Sequence, residues 1–222
     1  MINDDLLGEM KDWWENRYRS EQFIWGEEPS ECTRSVIDFL KDRGVKRILD
    51  LPCGYGRDSI FLAKNGFEVM GIDRCGEAIK LAKEYARREG LEISFIEGDA
   101  TQLDMPDDSF DAIVSNRFLH LVYEDELQDK VAKEMHRVIR KDGYLVLATR
   151  STEDPDCNEK NSIEGKVHEL QDRRGHMIRF NTHDEIKSVF SHFKELTIEK
   201  MQELESLERR INCSLLRIIA RK

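Results

Sequence analysis

The chain has 222 residues, a formal charge of −10 and a pI near 5.2, which argues against the basic footprint that nucleic-acid and anionic-membrane surfaces require. That length suits one α/β domain with additions and is short for two full catalytic domains. No stretch approaches the roughly eighteen consecutive apolar residues of a membrane span, and MINDDLLGEMK has no basic n-region before an apolar core.

Five cysteines (Cys32, Cys53, Cys75, Cys157 and Cys213) are odd in number and include no C-x-x-C pair, which fits a reducing cytoplasm. The six histidines show no metal-ligand spacing. The expectation is a soluble cytoplasmic protein that handles a small molecule, with no metal, nucleic-acid or membrane partner.

Residues 1–45 predict two helices joined by a turn. Leu6, Met10, Trp13 and Arg17 fall at helical spacing, with Leu7, Trp14 and Tyr18 on the adjoining row. Pro29 and Ser30 open a second helix carrying Val36, Ile37 and Leu40, which Gly44 ends. Phe23-Ile24-Trp25-Gly26 lies between them, and this aromatic density reads either as core or as a lid over a ligand.

The chain is organised around RILDLPCGYGRDSIFLAKNGFEVMGID, Arg47 to Asp73. Ile48, Leu49 and Leu51 predict a buried parallel strand. Gly54 and Gly56 let the backbone approach a ligand, and a helix over Arg57–Lys64 stops at Asn65-Gly66. A second strand, Val69–Ile72, ends on Asp73, where a carboxylate is placed to accept both hydroxyls of a ribose. The dinucleotide pattern G-x-G-x-x-G is broken at its third glycine by Ser59, which weighs against NAD.

Downstream, Ala78, Ile79, Ala82, Tyr85 and Ala86 define an amphipathic helix, and Ile93, Phe95 and Ile96 a third strand running into Gly98-Asp99-Ala100. A fourth strand, Phe110–Ser115, leads into Asn116-Arg117-Phe118-Leu119-His120. A helix through Leu127, Val131, Met135 and Val138 should stop at Lys141-Asp142-Gly143, before a fifth strand at Tyr144–Thr149. Ser151 to Arg179 loses periodicity and reads as a functional loop or a partly helical insertion. Thr182 and Glu185 form a capping box ahead of Ile186, Val189, Phe190 and Phe193. Two last strands, Leu196–Lys200 and Leu215–Ala220, flank the acidic link Glu203–Glu208 and, lacking a crossover, pair antiparallel.

Strands alternating with helices predict an α/β fold, a Rossmann-like doubly wound sheet, mostly parallel, with an antiparallel C-terminal hairpin. Asp50-Leu51-Pro52-Cys53-Gly54-Tyr55-Gly56 resembles the D-x-G-x-G-x-G turn of class I S-adenosylmethionine-dependent methyltransferases, with Pro52 in place of the first glycine. Within that family, Trp14-Glu15-Asn16-Arg17-Tyr18, Trp25-Gly26-Glu27-Glu28-Pro29 and Gly56-Arg57-Asp58-Ser59 look like the small-molecule enzymes of the tellurite-resistance and thiopurine group.

The resemblance implies seven strands, S-adenosylmethionine as cofactor and a small-molecule acceptor. It places Asp50 near the methionine amino group, the backbone from Pro52 through Cys53 and Gly54 to Gly56 along the amino acid and ribose, and Asp73 on the ribose. Arg74 flanks the adenine, Asp99 and Ala100 read its edge, and Asn116 joins them at the rim. Trp14, Tyr18, Trp25 and Arg117 are expected on the lid and substrate side. His120 is the candidate base if the acceptor loses a proton, or else a histidine on the inner face of a turn.

In one domain, residues 1–45 would be a helical lid, 46–150 the cofactor core, 151–180 an acceptor-side insertion and 181–222 the last helix and hairpin. A related protein kept only for binding or regulation stays open as an alternative function, and an NAD-dependent oxidoreductase stays open behind it.

Overall fold

The structure is a computed structural model that describes residues 4–159, 162–164, 167–169, 177–204 and 212–222. Seven strands form the main sheet: β1 (Arg47–Asp50), β2 (Glu68–Asp73), β3 (Ser94–Glu97), β4 (Phe110–Asn116), β5 (Ile139–Arg150), β9 (Glu195–Leu204) and β10 (Asn212–Arg221). Their order is β3-β2-β1-β4-β5-β10-β9. The first five pair in parallel, and β10 runs antiparallel to both β5 and β9. The expected Rossmann-like sheet with a terminal hairpin is thus present.

Burial explains the apolar strands. Leu49, Ile113, Leu145 and Leu147 on one face pack with α6 (Asp125–Val138) and α7 (His183–Val189), while Ile48, Ala112, Val114 and Val146 on the other pack with Leu40 and Leu62. A strand covered on both faces reads as a continuous apolar run. The capping box at Thr182 and Glu185 is formed.

Four local expectations are revised. The second N-terminal helix divides into α2 (Glu31–Arg34) and α3 (Ile37–Asp42), because Val36 leaves the helical region at φ −111° and ψ 3°. α6 ends at Val138, and Lys141-Asp142-Gly143 lies inside β5, where Asp142 takes φ 62°. A β-carbon on Gly143 would stand 2.6 Å from the Asp111 carbonyl, so this glycine allows a close strand approach rather than a helix stop. Finally, where a loop or partial helix was expected after Ser151, there are three short strands: β6 (Ser162–Glu164), β7 (Val167–Glu169) and β8 (Met177–Arg179), in a separate antiparallel sheet. β9 also runs to Leu204, so Glu203 is a strand residue rather than part of the link.

The longest N-terminal element, α1 (Asp4–Glu21), docks on α5 (Gly76–Arg88). Glu15 accepts the Gly76 and Glu77 N–H groups at 2.9 and 3.0 Å, capping α5 from another helix, since Cys75 makes no side-chain cap. Lys11 pairs with Glu97 at 2.7 Å and Arg19 with Glu77 at 3.2 Å. These contacts hold α1 across the carboxyl ends of β2 and β3.

Candidate functional site

A cleft of about 330 Å³ opens at the carboxyl ends of β1, β2 and β4, where ligands of open α/β sheets sit. The loop after β1 builds its floor. Leu51-Pro52 is a cis peptide, and Gly54 and Gly56 take φ 52° and 85°, a backbone that favours glycine. Gly56 caps α4 (Arg57–Lys64), where a β-carbon would meet Ala82 and Phe95 at 3.1 Å.

Of the expected residues, Asp50, Pro52, Cys53, Gly54, Asp73, Arg74, Asp99, Ala100, Asn116, Trp14, Tyr18, Trp25 and Arg117 all line this one cleft. Gly56 and His120 do not. Gly56 works through packing, and His120 is buried, 6% exposed, in the 3-10 turn Leu119–Leu121. The expected base at position 120 is therefore off the cleft surface.

Asp73 is buried, with Oδ2 accepting the Gly54 N–H and Oδ1 the Cys75 N–H, both at 2.9 Å. Burial pushes its carboxyl up to about 6, against those two donors. Asp50 is 2% exposed and accepts the Ser59 hydroxyl at 2.5 Å; burial, followed by the charge of Asp58, holds it well above the usual carboxylate range. Asp99 turns one oxygen to Thr101, accepting its N–H and its hydroxyl at 2.8 Å.

The cover is aromatic. Trp14 lies 5.7 Å from Tyr18 and 5.9 Å from Trp25, and Trp25 stacks on Tyr55 at 6.1 Å. The Tyr55 hydroxyl donates to the Gly26 carbonyl at 2.7 Å, which fastens the segment to the glycine loop. A methyl group on Gly54 would stand 2.9 Å from the Tyr18 hydroxyl, so α1 rests directly on the floor.

Arg117, expected on the substrate side, is tied into a rim network with residues to which the sequence gives no role of their own. Arg117, at φ 56° and 9% exposed, donates to Glu203 at 3.1 Å and to the Leu204 carbonyl at 2.8 Å. Arg57 reaches the same Glu203 at 3.5 Å, and Glu203 also accepts the Glu31 N–H at 3.0 Å. Asp58 holds the Ser30 N–H and hydroxyl at 2.7 and 2.8 Å. Phe118, Leu121, Val122, Leu127 and Val131 add an apolar wall. Arg57 and Asp58 were marked only as part of a motif, and Glu203 fell in the expected link, so no single-residue signal pointed to them. Lys166, Arg173 and Arg174, within the expected acceptor-side insertion, lie outside the described residues.

The sequence matches a family model described as "Methyltransferase domain" over residues 41–212. The chain belongs to the class I S-adenosylmethionine-dependent methyltransferases. It is 35% identical over 116 residues to a demethylmenaquinone methyltransferase of Thermus thermophilus, covering 51% of each chain. The chain spans about half the length of the curated relatives it matches.

Among solved structures it resembles a Burkholderia thailandensis 1,6-didemethyltoxoflavin-N1-methyltransferase with its substrate and S-adenosylhomocysteine bound (TM-score 0.71, 18% identity, 100% of this chain and 91% of that one). It also resembles TehB of Haemophilus influenzae (TM-score 0.62, 20% identity, 96% and 66%). At these identities the two structures speak to fold.

The cofactor of this methyltransferase family is S-adenosylmethionine, and the donor set of the cleft fits it. A buried carboxylate ends β2, Gly54 brings the backbone close, and the buried Asn116 Oδ1 makes no hydrogen bond with a described residue. Among the described residues no group of His, Cys, Asp and Glu is arranged to hold a metal ion, and no helix is long and apolar enough to cross a membrane.

Proposed function

We propose that the chain transfers a methyl group from S-adenosylmethionine to a small-molecule acceptor. The observation that carries this is Asp73, a buried carboxylate at the end of β2 inside a covered cleft. Bound there, S-adenosylmethionine supplies an electrophilic methyl on a cationic sulfur.

In this assignment Asp73 takes the ribose hydroxyls, Asp50 the amino group, and Arg74, Asp99 and Ala100 the adenine, with Asn116 at the rim. Trp14, Tyr18 and Trp25 exclude water from above. Arg117 and the apolar wall from Phe118 to Val131 face the acceptor. Catalysis is by holding the reactants in line, for which effective molarities are large, and no base is assigned because His120 lies off the cleft. Small acceptors are consistent with the names of relatives that act on demethylmenaquinone and didemethyltoxoflavin. A dinucleotide is disfavoured, since Ser59 is fully buried and donates to Asp50.

The test is isotope-labelled methyl transfer into a small-metabolite extract by wild type and by Asp73→Ala. Label in a low-molecular-weight product, lost in the variant, is the expected result. Tight cofactor binding with no transfer to any fraction would leave a binding protein instead.

A further inference from the structure

The turn that joins β2 to α5 is held by two carboxylates from different parts of the chain. Three successive amides donate to them: Cys75 N–H to Asp73 Oδ1 at 2.9 Å, Gly76 N–H to Glu15 Oε1 at 2.9 Å and Glu77 N–H to Glu15 Oε2 at 3.0 Å. Asp73 is the last residue of β2, whereas Glu15 belongs to α1, 61 positions before Gly76.

Glu15 relieves a competition for Asp73. α5 has thirteen residues and no side-chain cap at Cys75, so without Glu15 its first amides lack an acceptor. Other carboxylates at this end are engaged: Glu97, 3.3 Å from where a Gly76 β-carbon would stand, pairs with Lys11, and Glu77 pairs with Arg19 and Lys80. The acceptor then nearest in sequence is Asp73, three residues before Gly76, and aspartate is well suited to capping. A carboxylate drawn down onto α5 turns away from the cleft.

The other oxygen of Asp73 leads back to α1 as well. Oδ2 accepts the Gly54 N–H at 2.9 Å, and the Tyr18 hydroxyl lies 2.9 Å from where a Gly54 β-carbon would stand. Tyr18 follows Glu15 at the i, i+3 spacing that puts two helical side chains on one face. Both segments that bond Asp73 therefore rest against one helix, whose Trp14 and Tyr18 also line the cleft.

We propose that Glu15 is a positioning residue for the cofactor: by taking the first amides of α5 it leaves the Asp73 carboxylate to the ribose, and it makes the hold on the ribose depend on α1 being docked. This rests on Asp73 as the ribose carboxylate. Glu15 does not line the cleft, so it acts through Asp73, and a ligand that engages Asp73 stabilises the docked helix through the same coupling.

The test is a double-variant cycle read by calorimetry with S-adenosylhomocysteine. Glu15→Ala should weaken binding at least about tenfold in the wild-type background and less than about threefold in Asp73→Ala, where nothing is left to position. Glu15→Gln, which keeps one acceptor, should fall between wild type and Glu15→Ala, and it carries the same cycle should Glu15→Ala not fold. Amide exchange in the ligand-free chain decides where Asp73→Ala binds too weakly for a cycle. Loss of Glu15 should speed exchange at Gly54 and Cys75 at least about tenfold, although both amides are bonded to Asp73 rather than to Glu15.

An unchanged affinity in folded Glu15→Ala, an equal loss in both backgrounds, or exchange that quickens at Gly76 and Glu77 alone makes Glu15 a helix cap only and overturns the proposal. No binding of S-adenosylhomocysteine by wild type overturns the cofactor assignment instead.

Discussion

Asp73→Ala is the most direct challenge to the ribose assignment. The carboxylate would accept both ribose hydroxyls, and a hydrogen bond to a charged group is worth about 1.5–3 kcal/mol. Even the lower value twice over gives about 3 kcal/mol, or roughly 150-fold in Kd for S-adenosylhomocysteine.

The same substitution has a stability signature of known sign. Burial pushes the folded carboxyl up to about 6 from the ordinary aspartate value of 3.8, and a displacement of that size corresponds to about 3 kcal/mol. Because the folded value lies above the unfolded one, the stabilisation is complete below about pH 4 and is lost as pH rises through about 6. Wild type should therefore lose stability relative to Asp73→Ala between those limits, with the difference constant above about pH 7. Calorimetry and urea unfolding of both proteins at several pH values measure the two effects. An affinity within threefold of wild type in a folded variant would refute the ribose role.

Four further outcomes are expected. Tryptophan fluorescence should change and hydrogen exchange in residues 10–30 should slow when S-adenosylhomocysteine binds, whereas no response in either makes the N-terminal segment structural only. Gly54→Ala forces a side chain at φ 52° and a methyl 2.9 Å from the Tyr18 hydroxyl, so it should cost about 1–3 kcal/mol and at least tenfold in affinity, read by urea unfolding and calorimetry. Glu203→Ala removes the carboxylate shared by two largely buried guanidiniums and should lower unfolding free energy by about 3 kcal/mol, with Glu203→Gln losing less. Replacing residues 166–175 with a Gly/Ser linker should leave S-adenosylhomocysteine affinity nearly unchanged while reducing methyl transfer, and a collapse of affinity would move that segment to the donor side.

The sequence conveyed the parts of this molecule whose causes are local. Asp50 and Asp73 stand at the ends of apolar runs, Gly54 and Gly56 mark a turn with positive φ, and Thr182 with Glu185 spells a cap, so strand ends, loop and helix start were all legible. The break at Val36 and the passage of Lys141-Asp142-Gly143 through β5 were not, because both depend on neighbours distant in sequence, such as the Asp111 carbonyl against Gly143. Polar sequence near the chain end read as a link although Glu203 lies in a strand, since its charge is met by Arg57 and Arg117, 146 and 86 positions away. His120 shows the converse. A titratable side chain at the ligand end of a strand was the natural candidate, yet the tight turn at Leu119–Leu121 carries it off the cleft surface.

The bond from Glu203 to the Glu31 amide spans 172 positions, and together with the arginine contacts it makes the rim a ring closed by one side chain. Coupling through such a ring is reciprocal. A ligand that stabilises this rim stabilises the β9–β10 hairpin carrying Glu203 with it, and a change that frees Glu203 from the rim weakens such a ligand through the same coupling. Glu203 does not line the cleft itself, so the hairpin touches the cleft's contents only through the two arginines it holds.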